Sequence, residues 1–351
     1  MEEIVQETNN LEKPKEDKQF VVGVAILRFF MCFMIASTHY GGQALFKLGG
    51  MFYVFQEFHV PVFMLMSFLL CGHYFLEPSG IKCKNRILRM VIPFAFWGIV
   101  SYLLSLIMWP NLPLYLLGWQ LLTVSHINVS LWFLSMMIWI SGLFWLIRYL
   151  SNKKAFLIVV SIFSIICLVL QYTGLNVWLF NQTIFEIRVS VGRIVEMIPY
   201  ATAGVWLSLT IPHLYKVNFK IKIIIFVSTL VVMGAALIVR NRFISYRTPG
   251  YDYAGLFKLS MAALLVLTAY TNPLNAINSS SFKTTIKWIT AFTMGVFCMH
   301  DVIGRFVEWG FGALGWPIKN VLAVLAIYAI CYLISFLINL IPNKYVKRLV
   351  T

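Results

Sequence analysis

Charge is what this sequence has least of. Of 351 residues only 12% are charged while 60% are hydrophobic, and the mean hydropathy is +0.82. A soluble domain of that size has no interior large enough to hide so much apolar surface, so a water-soluble fold is excluded. Paired cysteines are missing as well. Cys32, Cys71, Cys83, Cys167, Cys298 and Cys331 stand singly in or beside apolar runs, which excludes a zinc site or a compact disulfide framework and makes them packing residues. The sequence also lacks a fixed-period repeat, a long low-complexity stretch and any long soluble connection, so solenoids and multidomain arrangements drop out. Acidic residues are scarce too: 13 Asp and Glu face 28 Lys and Arg, for a net charge of +15. In a soluble protein that excess would point to nucleic acid; here its meaning depends on where the charges sit.

What the sequence does have is long apolar runs. Segments of about 17 to 25 residues, enough to cross the hydrocarbon layer as helices, fall at Val21–Thr38, Met51–Cys71, Met90–Trp109, Leu131–Ile147, Ala155–Tyr172, Ile194–Ile211, Ile223–Val239, Ala254–Thr271, Trp288–Val307 and Val321–Ile341. Leu112–Thr123 is apolar but too short to span and reads as interfacial or re-entrant. Residues 1–20 hold six acids and three lysines, too polar for a core, and read as a disordered tail. The first apolar run has no basic stretch directly ahead of it and no convincing small-residue cleavage site, so it reads as a span rather than a removable signal.

With ten spans and the N-terminus inside, fifteen basic residues fall in loops on one side, among them Lys84, Arg86 and Arg89, and six on the other. The positive-inside bias therefore puts both termini in the cytoplasm. The expected architecture is an all-α, polytopic membrane bundle: a tail over 1–20, a membrane domain over 21–341 and a short cytoplasmic tail over 342–351. The charge surplus is then topological, and no nucleic-acid partner is expected.

Against this background, ionisable residues inside spans stand out, because a charge at the centre of a membrane helix costs about 2.5–3.5 kcal/mol. Arg28 lies inside the first span and His39 eleven residues later. At about 100° per residue the two share one helix face, about 16 Å apart along the axis, a spacing suited to the two ends of one elongated ligand. The structural alternative is a snorkelling arginine and an interfacial histidine. The second span carries Glu57 and His59 ahead of Pro61, which frees a carbonyl and allows a kink; Glu57 is of the right charge to pair with Arg28. The ninth contributes His300, a candidate ligand-facing group, with Asp301 and Arg305 spaced i,i+4 to satisfy each other. Glu196 lies near Arg193, a spacing that permits an outer acidic–basic pair.

Two flanking clusters complete the set. Lys84, Arg86 and Arg89 lie at the inner mouth of the third span, where they are able to hold phosphates or merely serve topology. Arg240, Arg242 and Arg247 lie on the disfavoured outer side among tyrosines, suited to an anionic or glycan acceptor or to an aromatic belt.

These residues carry a resemblance. "LRFFMCFMIASTH" resembles the first span of the acyltransferase-3 family of bacterial integral membrane acyltransferases, with an arginine and a histidine separated by ten residues. In the same order, "FHVPVFMLMSFLL" is similar to the family's "FHxPxFFxxSGxLL", "KNRILRMVIPF" to "RxxRIxxPY", "LWFLSMM" to "HLWFL" and "GVFCMH" to "GIYLLH". The likeness runs from about residue 20 to 341. Two positions depart from it: Phe68 replaces the second-span glycine, and Val129–Ser130 stand where the histidine before "LWFL" is expected, with His126 upstream.

The resemblance implies transfer of an acyl group, usually acetyl, from cytoplasmic acyl-CoA to a hydroxyl of an envelope or extracellular polysaccharide or its lipid-linked precursor. His39 and Arg28 would carry the chemistry, and Arg28, Lys84, Arg86 and Arg89 would hold the donor. Glu57, His59, His300, Arg240, Arg242 and Arg247 are left for the cavity or the acceptor. No metal is expected. The partners implied are a glycan, the lipid bilayer and polysaccharide-assembly proteins, in a bacterial cytoplasmic membrane. From the residues alone, an exporter of glycans or small anions through a similar polar cavity is the competing expectation.

Overall fold

The computed structural model describes residues 20–41, 58–76, 80–115, 117–118, 131–175, 191–243, 255–315 and 321–350. Among these there is no strand. Apolar segments of this length in hydrocarbon must satisfy every backbone group internally, and the helix does so within one segment. The helices are α1 (Val22–Tyr40), α2 (His59–Leu76), α3 (Gly80–Met108), α4 (Trp132–Leu150), α5 (Lys153–Tyr172), α6 (Val191–Lys216), α7 (Phe219–Phe243), α8 (Leu256–Thr271), α9 (Ser280–Thr290), α10 (Thr293–Ala313), α11 (Val321–Leu340) and the short α12 (Lys344–Lys347). The chain is a polytopic helical membrane bundle.

Nine stretches among the described residues are long and apolar enough to cross a membrane. The expected eighth span, α8, is helical but only 16 residues long; it is wedged among α1, α2 and α7, where neighbouring helices cover it. Three other expectations change. The basic run Lys84–Arg89 is not a loop: α3 begins at Gly80 and includes it. Pro61 makes no mid-helix kink, because it stands in the first turn of α2, where its missing N–H has no helical partner to lose. The expected ninth span is divided at Ala291–Phe292 into α9, with its lysines on one face, and the apolar α10.

Short polar turns fix the hairpins. Asn152 caps α5 by accepting from the Ala155 N–H at 2.9 Å, and Arg148 donates to the Ser151 carbonyl at 2.6 Å where α4 ends, a cation at the negative end of the helix dipole. α2 and α6 form the most intimate pair. At Gly204 an added Cβ would lie 2.4 Å from the Leu65 carbonyl oxygen, so only glycine permits that approach. α2 has 67% of its span buried and α7 only 11%, which places α2 in the centre and α7 at the lipid-facing rim.

Residues 343–350 fold back against the bundle. Asn343 caps α12, and the chain turns back so that Leu349 and Val350 are buried. The Leu349 carbonyl accepts from Trp97 Nε1 at 2.9 Å, and the Val350 carbonyl accepts from the Gly295 N–H at 3.2 Å. A donor left open by the first turn of α10 is thereby satisfied. Two apolar residues after a basic run gain more from this packing than from water.

Replacing Gly204 by Ala is expected to overpack the α2–α6 contact and destabilise the bundle by about 1–3 kcal/mol, read as a lower melting temperature and lower membrane abundance of the detergent-purified protein; an unchanged melting curve contradicts the close approach.

Candidate functional site

The site grows from the α1–α10 pair, which run in the same direction from the end of the bundle that carries Lys84 to the far end. Arg28 and His39 share one face of α1, and that face meets α10. The Arg28 guanidinium donates through Nε and Nη2 to Thr293 Oγ1, at 3.2 and 2.7 Å. Cys32, one turn on, donates its thiol to the Thr293 carbonyl at 3.4 Å. Seven residues along α10, on the same face as Thr293, His300 lies beside His39, with ring centroids 5.5 Å apart. Beyond them Tyr40 donates to Asp301, to its carbonyl at 2.7 Å and its carboxylate at 3.2 Å. Arg305 completes this knot with a 3.1 Å ion pair to Asp301, the i,i+4 pairing expected from sequence. The Tyr40 ring lies over Gly304 so closely that no side chain fits there.

Burial divides the group into fixed and available parts. His300 is 1% exposed, and its Nδ1 lies 2.8 Å from the Phe297 carbonyl oxygen, while His39 is exposed. Of the five guanidinium N–H groups of Arg28, two go to Thr293, and the other three have no protein partner among the described residues. The pair therefore presents spare hydrogen-bonding capacity at one level and an accessible imidazole at another, on a rigid rod. An imidazole is suited to accept a hydroxyl proton near neutral pH, and a guanidinium to hold a carbonyl or phosphate oxygen.

Glu57, the expected partner of Arg28, lies outside the described residues; among the described residues the guanidinium donates to Thr293. His126 and Arg247 also lie outside them, as do the side chains of Arg240 and Arg242. His59 is buried in the first turn of α2.

The basic cluster splits by helical phase. Cys83, Arg86 and Met90 face inward, whereas Lys84 and Arg89 are exposed. Arg86, expected with its neighbours either to hold phosphates or to serve topology, is buried rather than exposed. It donates to the Ser67 carbonyl and hydroxyl, both at 3.2 Å, and to Ser141 Oγ at 3.4 Å, with its guanidinium 5.0 Å from the Phe68 ring centroid. The residue that departs from the family's glycine thus supplies an aromatic face to this arginine. The reason for the inward turn is that the run is helical, so residues three and four apart must differ in exposure from those between.

At the far end, buried Glu196 accepts from Arg193 at 3.0 Å, and Arg193 lies 4.9 Å over the Trp132 ring; the expected pair is present, with the tryptophan of "LWFL" beneath it. A groove of about 620 Å³, lined by Phe29, Phe33, Trp288, Tyr328 and Phe336 among others, opens on the flank of α1 and α11. Its apolar walls suit a lipid chain rather than chemistry. No group of metal-binding residues occurs among the described residues.

A family model described as an acyltransferase domain matches residues 21–340. The chain belongs to the acyltransferase-3 family. No match is found among curated proteins or solved structures. Family membership and the apolar helices together make it a multi-pass membrane acyltransferase. Within this acyltransferase, sequence reasoning did not single out Thr293 and Tyr40, which join α1 to α10, or Ser67 and Ser141, which hold Arg86. Thr293 had one signal available, its spacing of seven from His300.

Arg86→Leu is expected to lower stability by about 2 kcal/mol or more, since it removes charge-assisted hydrogen bonds and leaves the Ser67 and Ser141 oxygens unpaired. Thermal melting in detergent, compared with the exposed control Arg89→Leu, checks this; equal melting temperatures contradict it.

Proposed function

We propose that the chain is a bacterial cytoplasmic-membrane O-acyltransferase. It moves an acyl group, acetyl in the first instance, from cytoplasmic acyl-CoA to a hydroxyl of an envelope or extracellular polysaccharide or its lipid-linked precursor. The observation that carries this reading is the placement of Arg28 and His39 on one face of α1, both against α10, with the guanidinium incompletely engaged and the imidazole exposed.

In this proposal the donor enters from the basic end. Exposed Lys84 and Arg89 meet its phosphates, and Arg86 holds the helix that carries them. The pantetheine arm runs along α1, and Arg28 positions the donor through its open N–H groups. His39 takes the proton of the acceptor hydroxyl as that oxygen attacks the thioester carbonyl; the oxygen–acyl bond forms, the carbon–sulfur bond breaks, and the proton passes to the leaving thiolate. Glu57, His59, Arg240, Arg242 and Arg247 are the proposed cavity and acceptor-facing groups.

Mass analysis of surface glycans from cells with and without the chain is the direct test. Loss of an ester-linked acyl group supports the proposal, whereas loss of the whole polymer favours export. His39→Ala is expected to abolish ester formation at unchanged membrane abundance, and an active His39→Ala protein removes the assigned base. Arg28→Lys keeps the charge and loses the planar fork. It is expected to raise the donor KM about tenfold or more, the loss of one charged hydrogen bond; unaltered donor kinetics contradict the positioning role.

A further inference from the structure

His300, in the α1–α10 contact, has a buried ring nitrogen whose hydrogen bonding is left incomplete. Its Nδ1 lies 2.8 Å from the Phe297 carbonyl oxygen. A carbonyl only accepts, so Nδ1 carries the hydrogen. In the neutral ring that assigns Nε2 as a lone pair. Nε2 is buried and has no hydrogen-bond partner among the described residues, an arrangement that is unfavourable when nothing fills it. The ring itself is held in place: it is 1% exposed and packed against Phe297, with centroids 6.0 Å apart. Across from it stands His39, 5.5 Å between centroids and tilted by 38°. His39 is exposed, whereas the ring of His300 is enclosed. A fixed acceptor thus faces the His39 imidazole on the parallel helix.

We propose that His300 is a positioning residue for His39: its Nε2 lone pair accepts the N–H of one His39 nitrogen and leaves the other nitrogen to take the proton of the acceptor hydroxyl. The inference rests on the acyl-transfer reading above and adds the group that orients the base. A carboxylate does this work in a serine–histidine–aspartate arrangement; here a neutral imidazole does it, which avoids burying a second negative charge beside Asp301. Proton balance is unchanged. The hydroxyl proton goes to the second nitrogen of His39 and from there to the departing thiolate, while the proton shared between the two rings stays on His39 throughout. Asp301 does not compete for the role, since its carboxylate is engaged by Tyr40 and Arg305.

Three substitutions separate this role from a structural one, because the two amide side chains mimic different ring nitrogens. In His300→Gln the new amide oxygen would lie near the position of Nε2, whereas the shorter side chain of His300→Asn reaches only the position of Nδ1 and its bond to Phe297. In purified full-length protein assayed with acetyl-CoA and glycan, His300→Phe and His300→Asn are expected to lower kcat at least about tenfold, with KM for donor and acceptor within about twofold. His300→Gln is expected to recover most of that loss. Rescue by Asn and not by Gln would show that the bond to Phe297 is what matters and would overturn the proposal, as would full turnover in His300→Phe. The wild-type rate tests the underlying reading separately. If the wild type forms no ester, acyl transfer to glycan falls and this role with it; if the wild type is active and His300→Phe equally so, only the role of His300 falls.

Discussion

Everything at the centre of this bundle follows from the need to neutralise polar groups on α1 without water. Arg28, Cys32 and Tyr40 lie on the side of α1 that meets α10, in a medium where an unsatisfied polar group costs several kcal/mol. α10 supplies the partners in order, Thr293 for Arg28 and Cys32, His300 beside His39, and Asp301 for Tyr40. The register between two parallel helices is thereby set by hydrogen bonds and not by apolar packing, which by itself has little directional preference. Gly304 allows the closest approach at one end, and Val350 closes the first turn of α10 near the other.

The rest of the architecture serves that pair. α2 and α6 lock together through Gly204 and form a buried wall, and Arg86 ties α3 to α2 and α4 through Ser67 and Ser141. α5 and α7, with little of their surface buried, present apolar residues to lipid. In this membrane acyltransferase, hydrogen-bonded charge stays within the centre of the bundle while the apolar surplus faces outward.

Much of this can be read from the residues. The all-helical membrane class follows from run length and hydropathy, and the pairing of Asp301 with Arg305 and of Glu196 with Arg193 follows from their helical spacing. The shared face of Arg28 and His39 is likewise a matter of angle. What is not legible is contact between helices distant in sequence. Nothing local to Arg28 says that Thr293, 265 positions away, receives it, and an acid such as Glu57 is the more obvious electrostatic choice. Boundaries fail where polar residues continue a helix: the run before Arg89 looks like a loop by hydropathy, yet it is the beginning of α3, and its phase decides that Arg86 turns inward. Trp288 reads as part of a span because it is apolar, although it belongs to the separate helix α9.

The bond between Arg28 and Thr293 also has a consequence for biogenesis. α1 precedes α10 in the chain, with 265 positions between Arg28 and Thr293, so the arginine enters the bilayer before this partner is made. For that interval the apolar residues of the segment must offset a penalty of a few kcal/mol. The mean hydropathy of 1.7 over α1 is what is set against that penalty. Helix α10 is in turn completed only when the Val350 carbonyl reaches Gly295. The contact between Arg28 and Thr293 thus forms only after α10 has been made, and a chain interrupted before that point lacks this partner for its arginine.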